Sequence, residues 1–136
     1  MFSATVLLKI AAGLAFIQYT AHTFLFLRAK PTHGEEEAKL INTMRAQQWD
    51  FNGFSRSYWD FYFGYGLLAI LWGFIEVLFL WRLSALVPAP ISVFFFLVLL
   101  IIANIGHAVL TLRYFFLMPA VFDLLIAAVL LITLLK

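Results

Sequence analysis

The chain has 136 residues, of which 65% are hydrophobic and only 12% are charged. A soluble domain is roughly 45–50% apolar and about 25% charged, so this composition indicates a protein whose solvent is largely lipid. The formal net charge of +2, without a basic run, gives no indication of a nucleic-acid partner, and none is predicted. The absence of cysteine excludes disulfides, thiolate metal ligands and a cysteine nucleophile.

Four segments are long and apolar enough to cross a bilayer, whose hydrocarbon core of roughly 30 Å needs about 20 helical residues. They cover approximately residues 3–27, 59–81, 91–113 and 119–135. The last two links are short, one containing Pro88-Ala89-Pro90 and the other Leu117-Met118-Pro119, and short links favour antiparallel neighbours. The sequence therefore predicts an all-α fold, a single-domain integral membrane four-helix up-down bundle over residues 1–136.

The connection at residues 28–57 is the only substantial polar stretch. An acidic run at Glu35-Glu36-Glu37 predicts the start of a helix that continues to about Gln48, because negative charge favours that end of the helix dipole. A modest apolar stripe follows, formed by Leu40, Ile41, Met44, Trp49 and Phe51. We interpret the connection as an amphipathic segment lying on the membrane surface or over the mouth of the bundle; a solvated loop helix is the alternative.

Basic residues are more frequent on the side of the predicted bundle that carries this long connection. The positive-inside rule therefore predicts that the connection is cytoplasmic and that both termini lie outside, in a bacterial inner membrane. The basic residues on that side are Arg28, Lys30, Lys39, Arg45, Arg56 and Arg113.

Four ionisable side chains, one from each predicted span, fall at similar depth beneath the long connection. From a rise of about 1.5 Å per residue, His22 and His107 lie about 9 Å below that face, and Asp60 and Asp123 about 6 Å. Ionisable groups inside spans are costly and mark candidate functional sites. We predict that the histidines act as acid–base or orienting groups whose tautomers the aspartates hold. Predicted substrate contacts are Gln18, Arg56, Tyr62 and Asn104.

The alternative is a purely structural role, in which hydrogen bonds within the His22–Asp60 and His107–Asp123 pairs only hold neighbouring helices together. Lys9 and Glu76 are expected at similar depth on the opposite side, where a structural ion pair would neutralise both charges.

A sequence similarity relates the first and third spans. Residues 17–28 and 102–113 both contain His-x5-Arg and end in Leu-Arg, and each is followed by a helix with an aspartate in its first turns. This pattern favours two helical hairpins related by a pseudo-twofold axis, with His22 matching His107 and Asp60 matching Asp123.

Histidine and carboxylate are also the ligands that zinc and non-haem iron prefer. The sequence contains no His-x3-His or Glu-x-x-His pair, so no metal is predicted. Two histidines at equal depth could ligate a haem axially, but no other feature marks a haem site, and the cofactor is left unassigned.

A polar pocket between apolar helices suits a lipophilic molecule with one polar end, such as a quinone, an isoprenoid or a sterol-like lipid. The leading hypothesis is a membrane protein that binds such a molecule, with acid–base catalysis left open. The rival is a non-catalytic accessory subunit of a larger membrane complex. A transporter is a third class, which four short unbroken spans disfavour unless the chain forms a homodimer.

The segments Arg28-Ala-Lys-Pro-Thr-His-Gly34 and Gly53-Phe-Ser-Arg-Ser-Tyr-Trp-Asp-Phe-Tyr-Phe-Gly-Tyr-Gly66, with Arg113-Tyr-Phe-Phe116, resemble a group of small bacterial four-helix membrane proteins without an assigned activity. The overall plan is similar in outline to DoxX-like and sterol-isomerase-type membrane proteins. The resemblance implies a four-span fold and a bacterial origin, and it assigns no site residue.

Overall fold

The computed structural model describes residues 2–87 and 90–136, without the side chains of residues 90–92. The elements in chain order are α1 (Ala4–Leu27), α2 (Glu35–Ala46), β1 (Gln48–Phe51), β2 (Phe54–Ser57), α3 (Tyr58–Leu86), α4 (Pro90–Tyr114) and α5 (Leu117–Leu134). The predicted proline-rich link after α3 lies, at residues 88 and 89, outside the described residues.

Helices α1, α3, α4 and α5 are each long and apolar enough to cross a membrane, as predicted. Their surfaces are unusually apolar: at most 33% of the residues in any of the four apolar windows are buried. Large apolar side chains therefore remain on the outside of the helices, an arrangement consistent with an integral membrane protein.

Helix α3 continues five residues beyond the predicted end at Trp81. The next residue, Arg82, is charged. Leu83 and Ser84 are nevertheless buried, and Ser84 Oγ donates a hydrogen bond to the Trp81 carbonyl oxygen at 2.6 Å. Tertiary packing thus extends the helix past the polar residue, and Glu76 lies ten residues from the end of α3, well inside the helix.

Helix α2 begins at the acidic run, as the sequence predicts, and ends two residues before Gln48. The carboxylate of Glu37 accepts hydrogen bonds from the backbone N–H groups of Thr32 (2.6 Å) and His33 (2.8 Å). These bonds stabilise the ionised form and lower the pKa of Glu37 below its ordinary value.

A β-hairpin, which the sequence analysis did not predict, joins α2 to α3. Its strands pair antiparallel, with Gln48 opposite Ser57 and Phe51 opposite Phe54. The two loop residues, Asn52 and Gly53, have φ of 56° and 86°. A two-residue Asn-Gly loop with positive φ at both positions is typical of hairpins, so the sequence did contain a signal for this element.

The contacts of the chain group into two compact units. The first contains residues 1–21 and 73–136, and the second contains residues 22–72. In the first unit a single apolar core joins four helices: Leu8, Ala11, Ala12 and Ala15 of α1; Leu80 and Leu83 of α3; Val93 and Leu97 of α4; and Ile126 and Leu130 of α5. The three alanines let α1 approach its neighbours closely.

The Tyr19 ring of α1 packs directly on Gly73 of α3. A Cβ atom added to Gly73 would lie 2.0 Å from Tyr19 Cδ1, well inside van der Waals contact. The glycine is therefore required by space and not by backbone conformation.

Replacing Gly73 with alanine is expected to destabilise the protein by about 1–3 kcal/mol, because the new methyl group must displace the Tyr19 ring. Thermal unfolding of the purified protein measures the effect. Gly106→Ala on α4 is the matched control, because no atom lies within 4 Å of the added Cβ there. Equal unfolding temperatures for the two variants would contradict the packing described.

Candidate functional site

Six polar side chains inside the first unit form two hydrogen-bonded groups of three, Gln18–Asp123–His107 and Tyr19–Glu76–Asn104. They come from all four apolar helices: Gln18 and Tyr19 from α1, Glu76 from α3, Asn104 and His107 from α4, and Asp123 from α5. Each lies away from the ends of its helix. We call these six residues the polar network.

Asp123 is the most buried member of the network, with 1% of its surface exposed. Its Oδ1 accepts a hydrogen bond from Gln18 Nε2 at 2.8 Å, and its Oδ2 lies 2.8 Å from His107 Nδ1. In the part of the chain that the structure describes, no lysine or arginine forms a salt bridge with it. Moving an unpaired carboxylate out of water costs several kcal/mol, so these two donors are what allow Asp123 to occupy this position.

Gln18 links α1 to two groups of α5. Besides the bond to Asp123, its Nε2 donates to the carbonyl oxygen of Pro119 at 3.4 Å. Both partners are acceptors, which fixes the orientation of the amide. The Gln18 Oε1 atom is buried and accepts no hydrogen bond from the described residues.

His107 connects the buried carboxylate to the surface of the helices. Because a carboxylate only accepts hydrogen bonds, the Nδ1 atom facing Asp123 carries the proton. The imidazole side chain is 49% exposed. Neighbouring residues on α4, such as Val109 and Leu110, are exposed and apolar. About half of the imidazole surface is thus available to another molecule.

Glu76 anchors the other half of the network. Its Oε1 accepts a hydrogen bond from Asn104 Nδ2 at 2.7 Å, and its Oε2 accepts one from the Tyr19 hydroxyl at 3.2 Å. The polar network therefore contains two carboxylates, each held by donors from two other helices.

The structure corrects the predicted ion pair between Lys9 and Glu76. The Lys9 ammonium lies over the Trp81 ring, 5.4 Å from its centroid, in a cation–π contact, while Glu76 accepts its hydrogen bonds from Tyr19 and Asn104. The prediction measured the depth of Glu76 from Arg82. Since α3 continues to Leu86, Glu76 lies farther from the helix end than expected, and its partners Tyr19 and Asn104 belong to the polar network.

The structure also gives Asp60 a different role from the predicted one. Its Oδ2 accepts hydrogen bonds from Ser57 N (2.7 Å) and Ser57 Oγ (2.9 Å), and its own N–H donates to Ser57 Oγ at 3.1 Å. This is a capping box at the start of α3, and the pattern Ser-x-x-Asp before an apolar run was its sequence signal. The hydrogen bonds of Asp60 to Ser57 are thus local to the start of α3, and the His22 ring stacks on Phe26 with centroids 5.7 Å apart.

The two halves of the proposed internal repeat consequently differ in their contacts. His107 is bonded to Asp123, whereas the matching aspartate, Asp60, is bonded to Ser57. The similarity of the two sequence segments does not extend to an equivalent pair.

The predicted substrate-contacting residues divide between the two units. Gln18 and Asn104 belong to the polar network. Arg56 and Tyr62 belong to the second unit, where Arg56 Nη1 donates to the Ser55 carbonyl oxygen at 2.7 Å. The Tyr62 ring packs against Phe26 and Trp59, with centroids 6.1 and 5.4 Å away.

Sequence reasoning missed Tyr19 as a member of the network. A tyrosine in the middle of an apolar helix, next to Gln18, was the available signal, because a buried phenol usually finds a hydrogen-bond partner. No group of three or more histidine, aspartate or glutamate side chains suited to a metal ion occurs within the described residues.

No family model matches the chain, and no curated protein and no solved structure was found to match it.

Asp123→Asn is expected to destabilise the protein by about 1–3 kcal/mol, because the new amide turns donor hydrogens toward Gln18 Nε2 or His107 Nδ1. Thermal unfolding in a fixed detergent measures the loss. Asp50→Asn is the control: Asp50 Oδ1 accepts a bond from Gly53 N, and the asparagine oxygen can replace it. An Asp123→Asn variant as stable as the control would show that the buried bonds contribute nothing.

Proposed function

We propose that the chain is an integral membrane protein whose four apolar helices form an up-down bundle, and that it binds a lipophilic molecule through the exposed edge of His107. The observation that carries the proposal is the half-exposed imidazole on the apolar outer face of α4. The positive-inside rule favours a cytoplasmic long connection, and the inferred location is a bacterial inner membrane.

Hydrocarbon offers no hydrogen-bond partner to the exposed edge of an imidazole, so leaving Nε2 against lipid tails is costly. A ligand with one polar atom and an apolar body removes that cost while keeping its own bulk in the membrane. The hydrogen bond to Asp123 holds Nδ1 on the inner side of the ring, so Nε2 cannot turn inward to find a partner. The imidazole is thus oriented before the ligand arrives, which reduces the cost of binding.

Charge balance indicates the polar group of this ligand. With a neutral imidazole, the ionised Asp123 would leave a net negative charge between apolar helices. One additional proton on His107 makes the pair neutral overall, which a medium of low dielectric constant favours. Nε2 then carries a hydrogen and donates it outward. The matching ligand group is an oxygen acceptor, such as the carbonyl of a quinone or the hydroxyl oxygen of an isoprenoid or sterol-like lipid.

The same pair is equipped for acid–base chemistry. An imidazole held by a carboxylate can pass its Nε2 proton to a ligand oxygen and later recover a proton, with Asp123 stabilising the charged form. Binding requires only the hydrogen bond, and catalysis would add this proton transfer.

In the rival role of an accessory subunit, a neighbouring protein would cover the exposed edge of His107.

The binding proposal predicts that an oxygen-containing lipophile co-purifies with the wild-type chain and is depleted about tenfold in His107→Ala, the change expected for losing roughly 1.4 kcal/mol of hydrogen bonding. Mass spectrometry of extracted lipids, normalised to protein, measures the ratio. His33→Ala is the matched control, since His33 lies 84% exposed in the long connection.

Folding is checked in the same preparations by thermal unfolding, and His107→Asn, whose Nδ2 can replace Nδ1 as the donor toward Asp123 while Nε2 is lost, serves as a milder variant. Identical lipid profiles in wild type and both His107 variants would overturn the proposal. A protein subunit that co-purifies with the wild type and is lost from His107→Ala would overturn it in favour of the accessory role.

A further inference from the structure

The β-hairpin of the second unit has two chemically different faces. Side chains of directly opposed residues project from the same side of a strand pair. The pairs Trp49–Arg56 and Phe51–Phe54 therefore share one side, and the pairs Gln48–Ser57 and Asp50–Ser55 share the other. We call the side formed by Trp49, Phe51, Phe54 and Arg56 the aromatic face.

Contacts between side chains agree with this division. The Arg56 guanidinium lies 5.5 Å from the centroid of the Phe54 ring, within the aromatic face. On the polar side, Ser55 Oγ donates a hydrogen bond to Gln48 Oε1 at 3.2 Å. The hairpin is thus amphipathic, although each strand has only four residues.

The hairpin is attached to the first turns of α3, a candidate membrane span. The Phe51 ring packs edge-on against Phe61 at 4.8 Å, and Trp49 against Tyr58 at 6.2 Å. Strand β2 ends at Ser57 and α3 begins at the next residue, with the Ser57–Asp60 capping box at the junction. These contacts hold the aromatic face at the level where the apolar helix begins.

Much of the aromatic face remains uncovered by the second unit. Phe54 is 62% exposed and Trp49 is 49% exposed, and Arg56 is exposed beside them. Aromatic rings are enriched at both membrane–water interfaces, and guanidinium groups form strong hydrogen bonds with phosphate. At the end of a span, the phospholipid headgroup layer supplies an interface for the aromatic rings and phosphate groups for the guanidinium group.

We propose that the aromatic face lies in the phospholipid headgroup layer, with Phe54 and Trp49 at its boundary with the acyl chains and Arg56 on a lipid phosphate. A four-residue strand is about 13 Å long, and the headgroup layer is roughly 5–7 Å thick on each side of the bilayer. The hairpin therefore lies along this layer, with Asp50 and Ser55 toward water. This proposal requires the spans to be inserted, and it is independent of any ligand at His107.

The chain contains no cysteine, so single cysteines can be spin-labelled without background. Phe54→Cys and Ser55→Cys are a matched pair, adjacent in one strand and on opposite faces. The labelled full-length proteins are placed in nanodiscs of phosphatidylethanolamine and phosphatidylglycerol. We expect the label at position 54 to be relaxed by oxygen and protected from a water-soluble nickel chelate. The label at position 55 should show the reverse.

Equal nickel accessibility at positions 54 and 55 would overturn the proposal, and so would shielding of position 54 from both reagents, which indicates contact with protein. Adding Arg56→Gln to the Phe54→Cys chain tests the phosphate contact. We expect the label to become more accessible to nickel, whereas an unchanged value would contradict the role of Arg56. Failure of these experiments would leave the lipid profile of His107→Ala unaffected, so the two proposals are tested separately.

Discussion

The structure of the first unit depends on how the Asp123 carboxylate is satisfied. A buried carboxylate without a lysine or arginine partner requires hydrogen-bond donors at fixed positions, and the donors come from two other helices, Gln18 on α1 and His107 on α4. Leucine and alanine side chains pack with little directional preference, so the apolar core alone allows several helix registers. The hydrogen bonds to Asp123, together with those to Glu76, favour one of them.

The same requirement links stability to the proposed binding role. To stabilise Asp123, His107 must turn Nδ1 inward, and this leaves Nε2 on the side of the ring away from Asp123. The residue that fixes the helices is therefore also the residue proposed to bind a ligand. Glu76, held by Tyr19 and Asn104, fixes the same helices through a second set of hydrogen bonds.

Hydropathy was sufficient to predict the four apolar helices, and counting residues from the helix ends was sufficient to propose that His107 and Asp123 meet. The same counting failed for Glu76, because packing of Leu83 and Ser84 extends α3 beyond Arg82. For Asp60, residue counting did not indicate the local capping box with Ser57, which competes with any long-range partner. The neighbours of Tyr19 depend on how α1 rests on Gly73, which helical periodicity does not reveal. The hairpin was missed although Asn52-Gly53 signals a tight turn.

Nitrogen-15 NMR of histidine-labelled protein in lipid bilayers tests directly whether the Asp123 carboxylate holds the His107 imidazole, because only three histidines contribute signals. We expect Nδ1 of His107 to be protonated and strongly hydrogen-bonded. This signature should disappear in Asp123→Asn and persist in Asp60→Asn. A His107 signal that is identical in the wild type and in Asp123→Asn would show that the buried carboxylate does not hold the imidazole, and would contradict the account.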